Sequence, residues 1–276
     1  MAPDAAHSGR QLYYRLFGLL GVLALCGCAT LPNDREWGRD VTLTPGWQKV
    51  RNAAAEAVES PRFWGPLAAA ALFQVDRADR KVSTWGRRHT PIFGSQQNAA
   101  AWSDHLRAAS LYVYVASVLV TPSGSDPKEW MINKLRGSAV GLAAIGVTDE
   151  ESVLLKRLAA RERPNGQDKE SMPSSHTSRS AVLIELAHRN FQSLELAPVT
   201  RRALDFGLDA LTYGTAWARV EAGFHFPSDT LVGMSLGNFN GAFFNDAFSG
   251  TERRSGASLT ITPLVHGAAL DVRFSF

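Results

Sequence analysis

Cysteine is scarce in this sequence. Among 276 residues there are two, Cys26 and Cys28, and both lie near the amino terminus, so a disulfide framework is excluded. Long apolar runs are also missing beyond residue 27. The most apolar stretch there, AASLYVYVASVLV at 108–120, would form a helix of roughly 20 Å against a hydrocarbon core of about 30 Å, which reads as a buried core helix and not a membrane span. A large charge of one sign is absent as well: 29 basic against 26 acidic side chains give +3, without the clustered basic footprint of a nucleic-acid binder. Internal repeats and long low-complexity segments do not occur.

What is present is ordinary for a globular chain: 45% hydrophobic and 20% charged residues, enough for one sizeable core with appendages. The amino terminus is more specific. Arg10 and Arg15 precede the apolar run LFGLLGVLALCG at 16–27, the positive head and short apolar body of a secretory signal. Leu25, Cys26, Gly27 and Cys28 resemble a bacterial lipobox. That resemblance implies cleavage after residue 27 and a lipid on Cys28. Loss of Asp4, Arg10 and Arg15 then leaves 27 basic and 25 acidic side chains, a net charge of +2. By resemblance to Gram-negative lipoproteins, Ala29, where an aspartate would signal retention, implies export to the bacterial outer membrane, facing the periplasm.

Residues 28–48 are rich in Pro, Gly, Thr and charge and read as a tether and docking segment. Helical patterning begins near 49. Two Ala-rich segments break at Ser60 and Pro61, and DRADRKVSTWGRRH carries mixed charge on an expected, partly exposed helix; TPIFGSQQ reads as a loop. A helix is expected at 108–120, and another at 137–147. Thr148 to Glu151 then fits a capping box opening a further helix through SVLLKRLAARER. Helices at about 177–191 and 199–218, and a last one after Pro227, complete an all-α bundle of seven to nine helices over 49–250. In the last helix, TLVGMSLGNFNGAFFN spaces small residues as close helix packing does. The tail, 251–276, alternates in SLTITPLV and AALDVRFSF and reads as a short β-hairpin.

Three clusters carry chemistry. In KRLAARERP, Lys156 and Arg163 stand seven apart, on one face if the helix continues to Pro164; a solvated charged helix is the plainer reading. In PSSH, Ser174 and Ser175 suit a helix N-cap, but His176 has no capping role. Exposed N–H groups, the helix dipole and small side chains there also suit an anion. In ARVEAGFHFPSD, Pro227, Ser228 and Asp229 suit a helix start with His225 immediately before it; a core histidine satisfied by a carboxylate is the bland alternative. Together they supply two imidazoles, three cations and an orienting carboxylate, an inventory for phosphoryl transfer.

In order and internal spacing these segments resemble the three signature motifs of the type 2 phosphatidic acid phosphatase and vanadium haloperoxidase superfamily: Lys, six residues, Arg-Pro; Pro-Ser-Gly-His; and Ser-Arg, five residues, His, three residues, Asp. The resemblance implies a helical bundle and a phosphatase without metal. It implies that His225 is the nucleophile, Asp229 holds its ring, and His176 is general acid and then base. Lys156, Arg163, Arg219, Ser174 and the Ser175 N–H would bind the phosphoryl oxygens. Ser175 departs from the family's glycine and Ala218 from its serine; neither removes a catalytic group.

The expected substrate is a phosphate ester, lipid or soluble, met near a membrane that holds the Cys28 lipid. No cofactor is expected, vanadate being an inhibitor or, in a haloperoxidase reading, a cofactor. A non-catalytic envelope lipoprotein binding a partner is the reading from a different class. Phe224, Phe226 and the 89–106 region are the expected leaving-group walls.

Overall fold

The computed structural model describes residues 36–249 and the backbone of 257–264 and 267–274. The expected signal, Cys28 and the tether up to residue 35 lie outside the described residues.

Helix α1 (Trp47–Glu59) and α2 (Pro61–Leu72) meet at Ser60. Its hydroxyl accepts the Arg62 N–H at 3.4 Å, and Pro61 occupies the first helical position, where a missing N–H costs nothing. A short 3₁₀ turn, Val75–Arg77, with Asp76 and Arg77 in the left-handed region, reverses the chain into α3 (Ala78–His89). After the 90–95 loop, α4 (Gln96–Val120) starts on a Ser95 cap to the Asn98 N–H at 3.1 Å. It therefore begins twelve residues before the apolar run that signalled it.

Helix α5 runs unbroken over Pro127–Ala159, capped by Asp126, whose carboxylate accepts the Lys128 and Glu129 N–H groups at 2.9 Å each. This corrects the expected division at Thr148. The Thr148 hydroxyl is buried and bonds back to the Ala144 carbonyl at 2.7 Å, and Ser152 does the same to Thr148 at 2.8 Å. Hydroxyls satisfied by the preceding turn of their own helix have no need to cap one. The chain leaves the helix at Ala160, in the left-handed region, so Arg163 lies beyond the helix and does not share a face with Lys156. Pro164 disfavours helical backbone at the residue before it.

Helices α6 (Ser175–Gln192), α7 (Pro198–Glu221) and α8 (Pro227–Phe248) complete the bundle. Among the described residues there are eight α-helices. Twelve of the eighteen residues of α6 are buried. Helices α4, α5, α7 and α8 surround it, and α1 and α2 cover α8. One core cluster joins Tyr114, Val118, Ala144, Val182, Leu183 and Leu186 with Trp37, whose indole N–H donates to Asn190 at 3.0 Å. Polar groups inside are paired across helices: Ser152 with Ser178 at 2.9 Å and Ser110 with Ser180 at 2.7 Å.

The contact between α6 and α8 fixes the site. Gly233, Gly237 and Gly241 recur every turn on the α8 face toward α6. A methyl group at Gly237 would stand 2.2 Å from the Ser178 carbonyl oxygen, and one at Gly233 would stand 2.6 Å from that of Ser174. Only glycine permits this approach, and it draws the amino-terminal ends of α6 and α8 together. The Ser174 N–H donates to the Asp229 carbonyl at 3.0 Å across that junction.

No helix among the described residues is long and apolar enough to cross a membrane. At the carboxy-terminal end the backbone of β1 (Ala257–Leu264) pairs antiparallel with β2 (Gly267–Phe274), Ala257 opposite Phe274 and Leu264 opposite Gly267.

Candidate active site

His225 precedes α8, is 1% exposed, and has its Nδ1 2.6 Å from the Ser171 carbonyl oxygen. A carbonyl only accepts, so Nδ1 carries the proton and donates, and Nε2 holds a free lone pair. Burial pushes its pKa well below the usual imidazole range, and Arg219, Lys156 and Arg163 push it further. The ring is neutral at physiological pH. All three sequence-expected cations thus act on the ring through their charge.

Asp229 does not bond the ring. Its carboxylate accepts from Ser171 Oγ at 2.6 Å, from the Phe226 N–H at 2.8 Å and from Arg161 at 2.6 Å. The expected direct contact is thus replaced by a relay: Asp229 fixes Ser171, and the carbonyl of Ser171 fixes His225. The reason lies in its place in the first turn of α8, where the carboxylate turns back to cap the Phe226 N–H. Burial raises the pKa of Asp229, opposed by Ser171 and Arg161.

Behind this relay lies an ion cluster of two buried carboxylates and a half-buried arginine. Arg161 donates to Asp229 and to Ser228 Oγ through one nitrogen, at 2.6 and 2.8 Å, and to Asp79 through the other at 2.6 Å. Its guanidinium covers the Phe226 ring at 4.2 Å. Asp79, 3% exposed on α3, also accepts the Ser228 N–H at 2.9 Å and its hydroxyl at 2.5 Å. The helix expected to be partly exposed therefore buries a carboxylate against the start of α8.

His176 lies in the first turn of α6. Its Nε2 is 2.9 Å from Asp104 of α4. Burial alone would raise the Asp104 pKa, but its bond to His176 holds it low; the carboxylate accepts, Nε2 donates and Nδ1 is left free. Burial and then Arg219 push the His176 pKa down to about 4, with Asp104 opposing them.

The cations differ in how they are held. Lys156 Nζ donates to the Glu170 carbonyl at 2.5 Å, and burial followed by Arg163 lowers its pKa to about 8. Arg163 is tied through Nε to Asp168 at 2.6 Å. Arg219 touches Ser103 Oγ at 3.3 Å, and its buried Nε has no hydrogen-bond partner. Burial, then Arg163, lowers its pKa to about 10. The Phe224 ring lies 4.1 Å from the Arg219 guanidinium and 5.7 Å from that of Arg163, bracing both. Ser174 caps α6, its Oγ accepting the Thr177 N–H at 3.4 Å. The Ser175 and His176 N–H groups belong to the turn whose amides lack acceptors within the helix.

Sequence-expected residues Lys156, Arg163, Ser174, Ser175, His176, Arg219, His225 and Asp229 thus converge on the paired starts of α6 and α8. Asp79, Asp104, Arg161 and Ser171 were missed. The first three act across 68 to 149 positions of chain, which no local pattern records; Ser171 reaches His225 through a backbone carbonyl, which any residue supplies, and Asp229 through a hydroxyl 58 positions away. Among the described residues no group of three or more His, Cys, Asp or Glu side chains is arranged to hold a metal ion.

Comparison with known proteins gives a family match: residues 137–249 fit the model of the PAP2 superfamily. No curated protein matches. Among solved structures, the chain is similar to the first transmembrane PAP2 type phosphatidylglycerolphosphate phosphatase from Bacillus subtilis, with 18% identity and a TM-score of 0.48. That match covers 67% of this chain and 92% of that one.

Proposed function

Residues 137–249 match the PAP2 superfamily, and from that premise we propose that this chain is a phosphatase acting on phosphate esters by way of a phosphohistidine. The observation that carries the reading is the fixed tautomer of His225: Nδ1–H held by the Ser171 carbonyl, Nε2 unprotonated, three cations around it.

The substrate phosphoryl group binds among Lys156, Arg163 and Arg219, whose charges neutralise the non-bridging oxygens. Arg219 Nε gains the acceptor it lacks. The Ser175 N–H at the start of α6 adds a donor backed by the helix dipole. His225 Nε2 then attacks phosphorus while the bond to the leaving oxygen breaks, and His176 Nδ1–H gives its proton to that oxygen. In the second step, neutral His176 takes a proton from water as the water oxygen attacks phosphorus. The P–N bond breaks, and inorganic phosphate and the resting imidazole are restored.

Because His176 is neutral at rest, its proton comes from the substrate monoanion or is taken up once the bound phosphate offsets Arg219. Either route favours activity on the acid side of neutrality. The expected lipobox at Cys28 would hold this centre at a membrane surface, so lipid phosphates come within its reach.

The experiment is phosphate release by the full chain in detergent, with EDTA present, from phosphatidic acid, an isoprenyl diphosphate and an aryl phosphate, beside a His225→Ala control. Turnover abolished by the substitution supports the reading. A folded wild type that releases phosphate from none of them contradicts it.

A further inference from the structure

Between α3 and the 160–164 segment lies a cavity of about 350 Å³, lined by Arg163 but by neither His176 nor His225. Its lining includes Arg80, Arg87, Arg161 and Arg163 against a single carboxylate, Glu162. Two of the guanidinium groups are already balanced, Arg161 by Asp79 and Asp229 and Arg163 by Asp168. The other two are not. Arg80 is exposed and makes no hydrogen bond or ion pair among the described residues. Arg87 is anchored by one terminal nitrogen to the Pro164 carbonyl, while its buried Nε has no partner.

The same cavity is lined by Ser83, 1% exposed, whose Oγ also has no hydrogen-bond partner. A buried donor without an acceptor is destabilising, and native folds rarely leave one unmatched. Here two such donors and an unneutralised arginine line one polar cavity. A neutral ligand would satisfy the hydroxyl but not the charge, whereas a tetrahedral oxyanion satisfies both through guanidinium forks and a hydroxyl contact.

We propose that this cavity is a second oxyanion subsite, taking a phosphate-class anion beside the catalytic centre with Arg163 as the shared wall. Its occupant is either the distal phosphoryl group of a diphosphate substrate or free inorganic phosphate. The link to catalysis rests on the phosphatase reading; the binding itself does not.

The test is calorimetric, on the full chain in detergent, with inorganic phosphate and with methylenediphosphonate, which is not hydrolysed. If a diphosphate bridges the two subsites, methylenediphosphonate binds at least tenfold more tightly than phosphate, and Arg80→Ala removes about tenfold of that affinity, the effect of one charge-assisted contact. If free phosphate is the occupant, two equivalents bind per chain and Arg80→Ala deletes one. Ser83→Ala, which removes the orphan hydroxyl, should melt at a higher temperature without anion and show a smaller rise in Tm when anion is added. Unchanged affinity and stoichiometry for both anions in both variants overturn the proposal. A Lys156→Ala variant separates the two claims: anion binding lost through Arg80→Ala but untouched by Lys156→Ala would support the second subsite and count against the catalytic one.

Discussion

Replacing Arg161 with methionine should damage this protein more than replacing Arg163, although only Arg163 belongs to the motif read from the sequence. Arg161 lies 2.6 Å from both Asp79 and Asp229, carboxylates 3% and 0% exposed. Removing it leaves two buried acids without their shared cation, a change that costs about 3–5 kcal/mol out of a total stability on the order of 5–15 kcal/mol. The retained donors on each carboxylate, Ser228 on Asp79 and Ser171 and Phe226 on Asp229, favour the lower end. The Arg163 partner, Asp168, is 42% exposed, so Arg163→Met should cost about 1 kcal/mol or less. The sign of the pH dependence follows from Asp229, whose folded pKa is already raised and rises further without Arg161. The penalty is largest where the acid is ionised and shrinks as pH falls through that raised value. Urea unfolding of both variants at pH 7 and pH 5 measures this. A loss below about 1 kcal/mol for Arg161→Met, or one that grows on acidification, would refute the reasoning.

Three further outcomes are expected. Gly237→Ala drives a methyl group to 2.2 Å from a backbone oxygen and should destabilise by about 1–3 kcal/mol; Gly146→Ala, with nothing within 4 Å, should stabilise by about 0.5–1 kcal/mol, both read from urea midpoints. His176 takes its proton near pH 4 in the folded protein and near 6.5 in the unfolded chain. Its contribution to stability is therefore full above pH 6.5 and lost as pH falls toward 4, by about 2–3 kcal/mol at pH 4.5, and His176→Gln should remove that part of the slope. Asp104→Asn removes the carboxylate that opposes the fall of the His176 pKa, so kcat should drop and its pH profile should move to lower pH. An unshifted profile would mean that Asp104 does not position His176.

The parts of the fold legible in the sequence are those fixed by contacts within a turn or two. Ser60-Pro61 announces a helix start because its cap and its missing N–H act locally. Pro227 and Asp229 announce α8 for the same reason, and the evenly spaced glycines report a close helix contact without naming its partner. The division of α5 was misread because Thr148 to Glu151 matches a cap by composition, whereas the hydroxyl bonds to the turn before it. The candidate site divides along the same line. His176, His225 and the three cations stand in compact motifs, but Asp79 and Asp104 stand alone in segments with no chemical pattern. Asp229 was legible as the orienting acid, yet its action through Ser171 became visible only when the loop before α6 was seen folded onto the start of α8.

The central claim is that His225 Nε2 forms a bond to phosphorus. The most direct measurement is a rapid alkaline quench of the full chain turning over a substrate labelled on its phosphoryl group, followed by peptide mapping. The account expects label on the peptide containing His225, stable to base and labile to acid, and none in His225→Ala. Turnover with no protein-bound label at any quench time, or label carried on another residue, would contradict it.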